Sequence, residues 1–389
     1  MKDIEVTRDI KYIGVNDKKL DLFESQYVVP NGISYNSYLI KDEKFVVMDT
    51  VDKRATKEWF ENLERELNGK DVDYLVISHL EPDHAANIEK LSNKYPNMKL
   101  IGNTKTFDFI PQFFEIQDLE KRKFMVKEGD SINIGKHTLQ FFMAPMVHWP
   151  EVMCTYEQSE KILFSADGFG KFGTLDTNED WACEARRYYF NIVGKYGLQV
   201  QSLLKKVSKL DIRIICPLHG PILKENLEYY MSKYNIWSSY QPEDDGVFIA
   251  YATIHGNTKE VALKMKKILE EKGVKKVEIT DLARVDMSEA IENAFRYDKI
   301  ILASSSYNLG LFPPMEQFLH SLQSKNYQKR KIGVIENGTW APSAAKCMKE
   351  ILEKMKDINL CNTVITIMSK MKDNNIEEMN KLADEILSD

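Results

Sequence analysis

Six residues, His79-Leu80-Glu81-Pro82-Asp83-His84, constrain this chain more than any other stretch. They close the apolar run Asp73-Tyr74-Leu75-Val76-Ile77-Ser78, which reads as a buried strand, and they precede Ala85 to Leu91, which reads as the start of a helix. Two imidazoles and two carboxylates on one strand-to-helix turn are costly to desolvate unless something cationic pairs with them. The alternative, surface-paired charges on a loop, asks for no further ligands downstream. His79, Glu81 and Asp83 alternate along an extended backbone and His84 adjoins Asp83, so neighbouring ligands can diverge toward two metal ions.

Further single candidates do follow downstream, each just past a strand-like run. His148 comes after Leu139 to Pro145, Asp167 after Ile162 to Ala166, and His219 after Ile212 to Leu218. In this order the residues resemble the metallo-β-lactamase superfamily, and within it the flavodiiron proteins (A-type flavoproteins). Hydrolases of that superfamily read His-x-His-x-Asp-His, whereas Glu81 stands here where their second His would be. A hard carboxylate in place of an imidazole moves the site from zinc toward iron. The resemblance implies His79, Glu81 and His148 on one iron and Asp83, His84 and His219 on the other. Asp167 would bridge them, since its two oxygens can span ions on the order of 3.5–4 Å apart.

At 389 residues the chain exceeds one ordinary domain. A net charge of −6 leaves no basic footprint for nucleic acid or an anionic membrane, and no stretch approaches a membrane span. The residues Met1 to Arg8 are charged throughout and lack the apolar core of a signal peptide. Cys154, Cys183, Cys216, Cys347 and Cys361 are scattered and never spaced Cys-x-x-Cys, which suits a reducing cytoplasm.

From the N-terminus to about Asp49 short β-rich pieces alternate with turns, among them Leu20 to Phe23, Ser34 to Ile40 and Phe45 to Asp49. Thr56 to Leu67 has helical spacing, with Trp59, Leu63 and Leu67 on one face. Strands, helices, strands and helices predict an αββα sandwich with the metals at a loop edge. Asp49 is either a structural aspartate or a partner that orients a ligand histidine. Trp149 is either a core residue or a wall of the metal pocket. His137, in a turn, is expected to be solvated, and His320 to be structural. Ala182 to Lys209 reads as one long helix. By resemblance to the equivalent helix of the flavodiiron proteins, which places a tyrosine near the metals, Tyr196 is the catalytic candidate. The step from Asp167 to His219 is shorter than that family implies, as though a loop before Trp181 were trimmed.

The polar stretch Ser238 to Gly246 marks a boundary, giving a domain at 1–240, a linker at 241–246 and a second domain at 247–389. The second domain alternates five strand-like runs with helices, the flavodoxin-like, doubly wound order. Thr253-Ile254-His255-Gly256-Asn257-Thr258 opens a helix with hydroxyls and backbone N–H groups suited to a phosphate. It is similar to the FMN phosphate loop of flavodoxins. Two more loops leave strand ends: Ser305-Ser306-Tyr307-Asn308 and Asn337-Gly338-Thr339-Trp340. Tyr307 and Trp340 can pack on or beside a flavin and Asn308 can bond its polar edge. The loop at Trp340 departs from the family form and keeps its Gly and Trp character.

The resemblance, which spans nearly the whole chain, implies FMN and two bridged iron ions as cofactors. It implies reduction of dioxygen to water, or of nitric oxide to nitrous oxide, with electrons from a separate rubredoxin-like or flavin reductase. It also implies a head-to-tail homodimer, or a dimer of dimers. A zinc hydrolase with a flavodoxin docking module is the rival reading, against which Glu81 and the flavin loops weigh. An electron carrier with a degenerate metal site is a third, against which the full ligand set weighs.

Overall fold

The computed structural model describes residues 4–388; residues 1–3 and 389, at the outer ends of the two predicted domains, lie outside the described residues. The chain packs as two compact units, Met1–Tyr188 with Leu198–Asn235, and Tyr189–Gly197 with Ile236–Asp389. The division falls earlier than the expected linker. Trp237 and Tyr240 are buried within the second unit, and the strand Asp244–Ala252 begins inside residues 241–246.

The first unit contains two sheets. One runs in the spatial order Ile10–Tyr12, Tyr38–Lys41, Phe45–Met48, Tyr74–Val76, Lys99–Gly102, Lys123–Met125. The other runs Ser131–Asn133, Thr138–Met143, Met153–Glu157, Ile162–Phe164, Ile214–Cys216. Alternating inward residues of both make one core: Tyr38, Ile40, Val46, Met48 and Val76 from the first, Leu139, Phe141, Met153, Ile162 and Phe164 from the second. Each such side chain, fully buried, contributes about 1.5–3 kcal/mol relative to exposure. Thr56–Leu67 is helical and buries Trp59, Leu63 and Leu67, as the spacing predicts. It stops at Asn68, whose left-handed backbone sends its N–H to the Glu64 carbonyl.

Two predicted elements are broken, the first of them beside His219. Ser34 to Ile40 is not one strand but Ile33–Tyr35 and Tyr38–Lys41. Between them the Asn36 amide donates to the Pro217 and Gly220 carbonyls, both at 2.8 Å, and Ser37 Oγ donates to the Asp49 carbonyl. Residues 182–209 are not one helix either. An α-helix over Trp181–Tyr188 gives way to a π turn over Tyr189–Val193 and a 3-10 turn over Gly194–Tyr196, before Gly197–Val207 resumes. Gly197 permits this path because a Cβ there would meet the Ser238 carbonyl at 2.3 Å.

The second unit has a parallel sheet in the order Val277–Asp281, Asp244–Ala252, Tyr297–Tyr307, Arg330–Asn337, Ile358–Ile367. This is the flavodoxin-like 2-1-3-4-5 order, with its ligand crevice beyond the carboxyl ends of the strands. Among the described residues no helix is long and apolar enough to cross a membrane.

Candidate metal centre and cofactor pocket

All seven predicted ligands converge at one rim of the first unit. His79 follows the strand Tyr74–Val76, and Pro82 starts the short helix Pro82–Ala85 that carries Asp83 and His84. The loop is pinned from below. Asp49 Oδ1 accepts the Ser78 N–H at 2.7 Å, and both the N–H and the hydroxyl of Thr50 donate to the His84 carbonyl. Asp49 therefore orients the backbone before His79 and not an imidazole.

The ligand atoms fall into two groups that share one residue. In the first, Glu81 Oε2 lies 3.3 Å from His79 Nε2 and 3.0 Å from His148 Nε2, and Asp167 Oδ2 lies 3.4 and 3.5 Å from the same nitrogens. In the second, Asp83 Oδ2 is 3.2 Å from both His84 Nε2 and His219 Nε2, and the two nitrogens are 3.0 Å apart. Asp167 Oδ1 is 3.6 and 3.8 Å from them. One carboxylate thus gives one oxygen to each group. Donors bonded at about 2.1 Å sit about 3.0 Å apart on an octahedral edge and about 3.4 Å on a tetrahedral one, so the spacings match coordination shells. Asp83 Oδ1 and Asp167 Oδ2 are buried without a hydrogen-bond partner, a costly arrangement that a cation relieves.

The ring orientations agree. His79 Nδ1 is 2.8 Å from Glu151 Oε1, which also accepts the Leu80 N–H at 2.9 Å, and His219 Nδ1 is 2.7 Å from the Ser34 carbonyl. With Nδ1 turned to those acceptors, Nε2 of both rings faces into the site, where a metal ion can take the place of a proton. Burial opposes charge on His79, His84 and Asp83, yet the opposite charges around them prevail. His79 is held well above the ordinary imidazole range by Glu151 and Glu81, and His84 is raised to about 10 by Asp83 and Asp167. Asp83 is held well below the carboxylate range by His84 and His219.

Three residues around the ligands differ from expectation. Glu151 was not singled out from the sequence; its signal was a glutamate three residues past a ligand histidine within Pro150-Glu151-Val152. The tyrosine at the metal rim is Tyr188, whose buried hydroxyl donates to Asp167 Oδ1 at 3.0 Å. Tyr196 instead sits in the 3-10 turn grouped with the second unit, half-buried, with Lys195 over its ring at 5.9 Å. Tyr188 ends the helix Trp181–Tyr188, whereas Tyr196 lies beyond the π turn Tyr189–Val193. Trp149 walls the site, its ring meeting His79 edge to face at 5.1 Å, and buried Phe23 meets His219 the same way at 5.3 Å.

In the second unit, thirteen of the fourteen predicted cofactor residues line one open pocket at the strand ends. They are Thr253, Ile254, His255, Asn257, Thr258, Ser305, Ser306, Tyr307, Asn308, Asn337, Gly338, Thr339 and Trp340, joined by Leu309, Ala341 and Ser369. Ser369 comes from beyond the fifth strand, a loop the sequence reading did not single out. The helix Asn257–Glu271 points its N-terminus at this rim, and Thr258 and Ser305 hydroxyls lie 2.9 Å apart. Gly256 does not line the pocket. Its φ of +94° calls for glycine, and no protein atom lies within 4 Å of a Cβ built there. Trp340 is 77% exposed and Tyr307 45% exposed. Hydroxyls and free N–H groups beside two unburied aromatics fit a ligand with an anionic end and a flat aromatic end.

Comparisons with known proteins agree with this division. Residues 33–220 match the model of the ODP family beta lactamase and residues 248–379 that of a flavodoxin domain. An uncharacterized protein of Methanocaldococcus jannaschii is 33% identical over 359 residues, covering 90% of each chain. The anaerobic nitric oxide reductase flavorubredoxin of Vibrio vulnificus is 29% identical over 349 residues, 87% of this chain and 70% of that one. Among solved structures, the rubredoxin oxygen:oxidoreductase of Desulfovibrio gigas superposes with a TM-score of 0.92 at 23% identity, over 99% of this chain and 98% of that one. A flavodiiron protein of Giardia intestinalis gives 0.91 at 23%, over 99% and 96%.

Proposed function

The chain belongs to the flavodiiron proteins, oxidoreductases with FMN and a diiron site, and from that premise we propose that it reduces dioxygen to water, nitric oxide to nitrous oxide, or both. The observation that carries the metal assignment is Asp167, one oxygen in each ligand group and one of them buried without a hydrogen bond. His79, Glu81 and His148 would hold one iron, Asp83, His84 and His219 the other, and Asp167 both. When bound, the irons and the flavin supply electrons and open coordination positions for a small gas.

This chain's own residues prepare that chemistry. Glu151 and the Ser34 carbonyl fix His79 and His219 with Nε2 toward the ions. The Tyr188 hydroxyl holds Asp167 Oδ1 in place and puts a proton beside the shared carboxylate. Trp149 and Phe23 cover ligand rings and keep bulk water from them. In the second unit, Thr253, Thr258 and the helix N-terminus would take the FMN phosphate, with Tyr307 and Trp340 against the ring system.

Electrons would come from a rubredoxin-like or flavin reductase partner. The exposed Ile254, Tyr307, Leu309 and Trp340 support a docking role for the flavin rim. They suit a head-to-tail homodimer in which one chain's flavin meets the other chain's metals. The experiment is anaerobic reduction of the iron-loaded, FMN-bound protein followed by exposure to each gas. Iron-dependent gas consumption with water or nitrous oxide as product is expected. A zinc-containing protein with hydrolytic turnover and no gas consumption would sink the reading.

A further inference from the structure

The strands Thr138–Met143 and Ile162–Phe164 each lead toward a proposed iron ligand, His148 and Asp167, at their carboxyl ends. At their amino ends stand His137 and Glu160. Six residues at about 3.4 Å of rise separate the two rims by about 20 Å. His137 was expected to be solvated, yet it is 2% exposed. Asp42, from the turn between Tyr38–Lys41 and Phe45–Met48, reaches across to it. Asp42 Oδ2 accepts the His137 backbone N–H at 2.8 Å and lies 2.7 Å from Nδ1. Against the effect of burial, these bonds hold Asp42 down to about 2, so it stands as a carboxylate. Gly135 wraps the same group: a Cβ there would meet Asp42 Oδ1 at 2.2 Å.

With Nδ1 turned to Asp42, the ring presents Nε2 on its other side. There Glu160 Oε1 lies 3.8 Å away, and an oxygen of Asp9 completes a set of three ligand atoms all within 4.8 Å of one another. Glu160 Oε2 is buried without a hydrogen-bond partner. The arrangement repeats that of Glu151, His79 and the catalytic ligands: a carboxylate behind an imidazole, with further carboxylates in front. Asp9, Asp42 and Glu160 bring three negative charges to the spot. The Lys136 ammonium lies 3.4 Å from Asp9.

We propose that His137 Nε2, Glu160 and Asp9 form a second, structural site for a divalent transition ion, for which zinc serves as the probe. Two protein–metal bonds of about 2.1 Å span at most about 4.2 Å, so the His137–Glu160 spacing already fits. The half-buried Asp9 closes the remainder by a side-chain rotation that releases Lys136. The ion would tie the first strand's start to two turns of the second sheet. It would perform no redox step.

The test uses the iron-loaded, FMN-bound protein. Zinc chloride is added, loosely held metal is removed by gel filtration, and zinc and iron are counted per chain, with calorimetry for affinity and a melting curve for stability. One additional zinc per chain is expected, with iron retained and a higher melting temperature. Glu160→Gln and Asp9→Asn should each weaken zinc binding by about 10- to 100-fold, the range for altered metal surroundings, with the gas-reduction rate unchanged. His137→Asn should remove it, and cobalt in place of zinc should show tetrahedral visible bands that Glu160→Gln abolishes. No retained zinc beyond the iron site, or equal affinity in Glu160→Gln and the parent chain, would overturn the proposal.

Discussion

The two cofactor regions solve different problems. The metal rim of the first unit is buried and hydrogen-bonded from behind: His79, His84, His219 and Asp167 are almost without solvent, and each turn that carries them is pinned by another element. The flavin rim of the second unit is open, with Trp340 and Tyr307 facing outward. The difference follows from what each holds. Metal ligands must be fixed in three dimensions before the ion arrives, whereas a flat cofactor brings its own rigid surface and needs only a phosphate anchor and faces to lie against.

The comparison predicts that substitutions at the metal rim cost function steeply and those at the flavin rim cost little. The largest effect is expected for Asp167→Ala, which removes an oxygen from each ligand group. Iron should fall from two per chain to one or fewer by metal analysis, with gas reduction down at least about 100-fold. Next comes Glu151→Gln, which keeps the shape and an acceptor for the Leu80 N–H but weakens the partner of His79 Nδ1. Iron affinity should fall by about 10- to 100-fold, measured by chelator competition, with FMN content unchanged. Loss of FMN in either variant would break the separation of the two regions.

The flavin-rim predictions are smaller. Gly256→Ala places a side chain at φ +94°, a strain of about 1–2 kcal/mol with no steric clash. The measurement is the FMN dissociation constant, expected to rise by about 5- to 30-fold, since each 1.4 kcal/mol is tenfold. Trp340→Ala should leave the melting temperature of the apoprotein nearly unchanged, within about 0.5 kcal/mol, because so little of the side chain is buried. It should weaken FMN by about 0.5–1.5 kcal/mol, the scale of one aromatic contact. The buried Trp59 is the control: Trp59→Ala should cost about 3–5 kcal/mol of stability without changing FMN affinity in the protein that remains folded.

The same contrast explains what was legible in the sequence. All seven metal-ligand candidates were, because two imidazoles and two carboxylates in six residues have few uses other than a metal, and each later ligand ends a strand. The parallel sheet was legible because each of its strands is a β-rich apolar run followed by a helix. What the sequence hid depends on contacts distant along the chain. Glu151 looks like a solvated loop charge until His79, far earlier, meets it. His137 looked solvated because Asp42, which buries it, lies in another turn. Tyr188 and Tyr196 both belong to a stretch that reads as one helix. The hydroxyl on Asp167 belongs to Tyr188, a contact between residues distant in the chain, and the π turn between the two tyrosines leaves no periodic signature.

The central claim is that electrons held on the flavin reach a gas through the paired metal ligands. Stopped-flow reoxidation of FMN tests it most directly. The protein is reduced anaerobically, then mixed with nitric oxide or dioxygen in three forms: iron-loaded, metal-free, and Asp167→Ala. The account predicts that the iron-loaded protein reoxidises its flavin at least about tenfold faster than both other forms with one gas or with both, a barrier difference of about 1.4 kcal/mol or more. Equal rates in all three forms with both gases would contradict it.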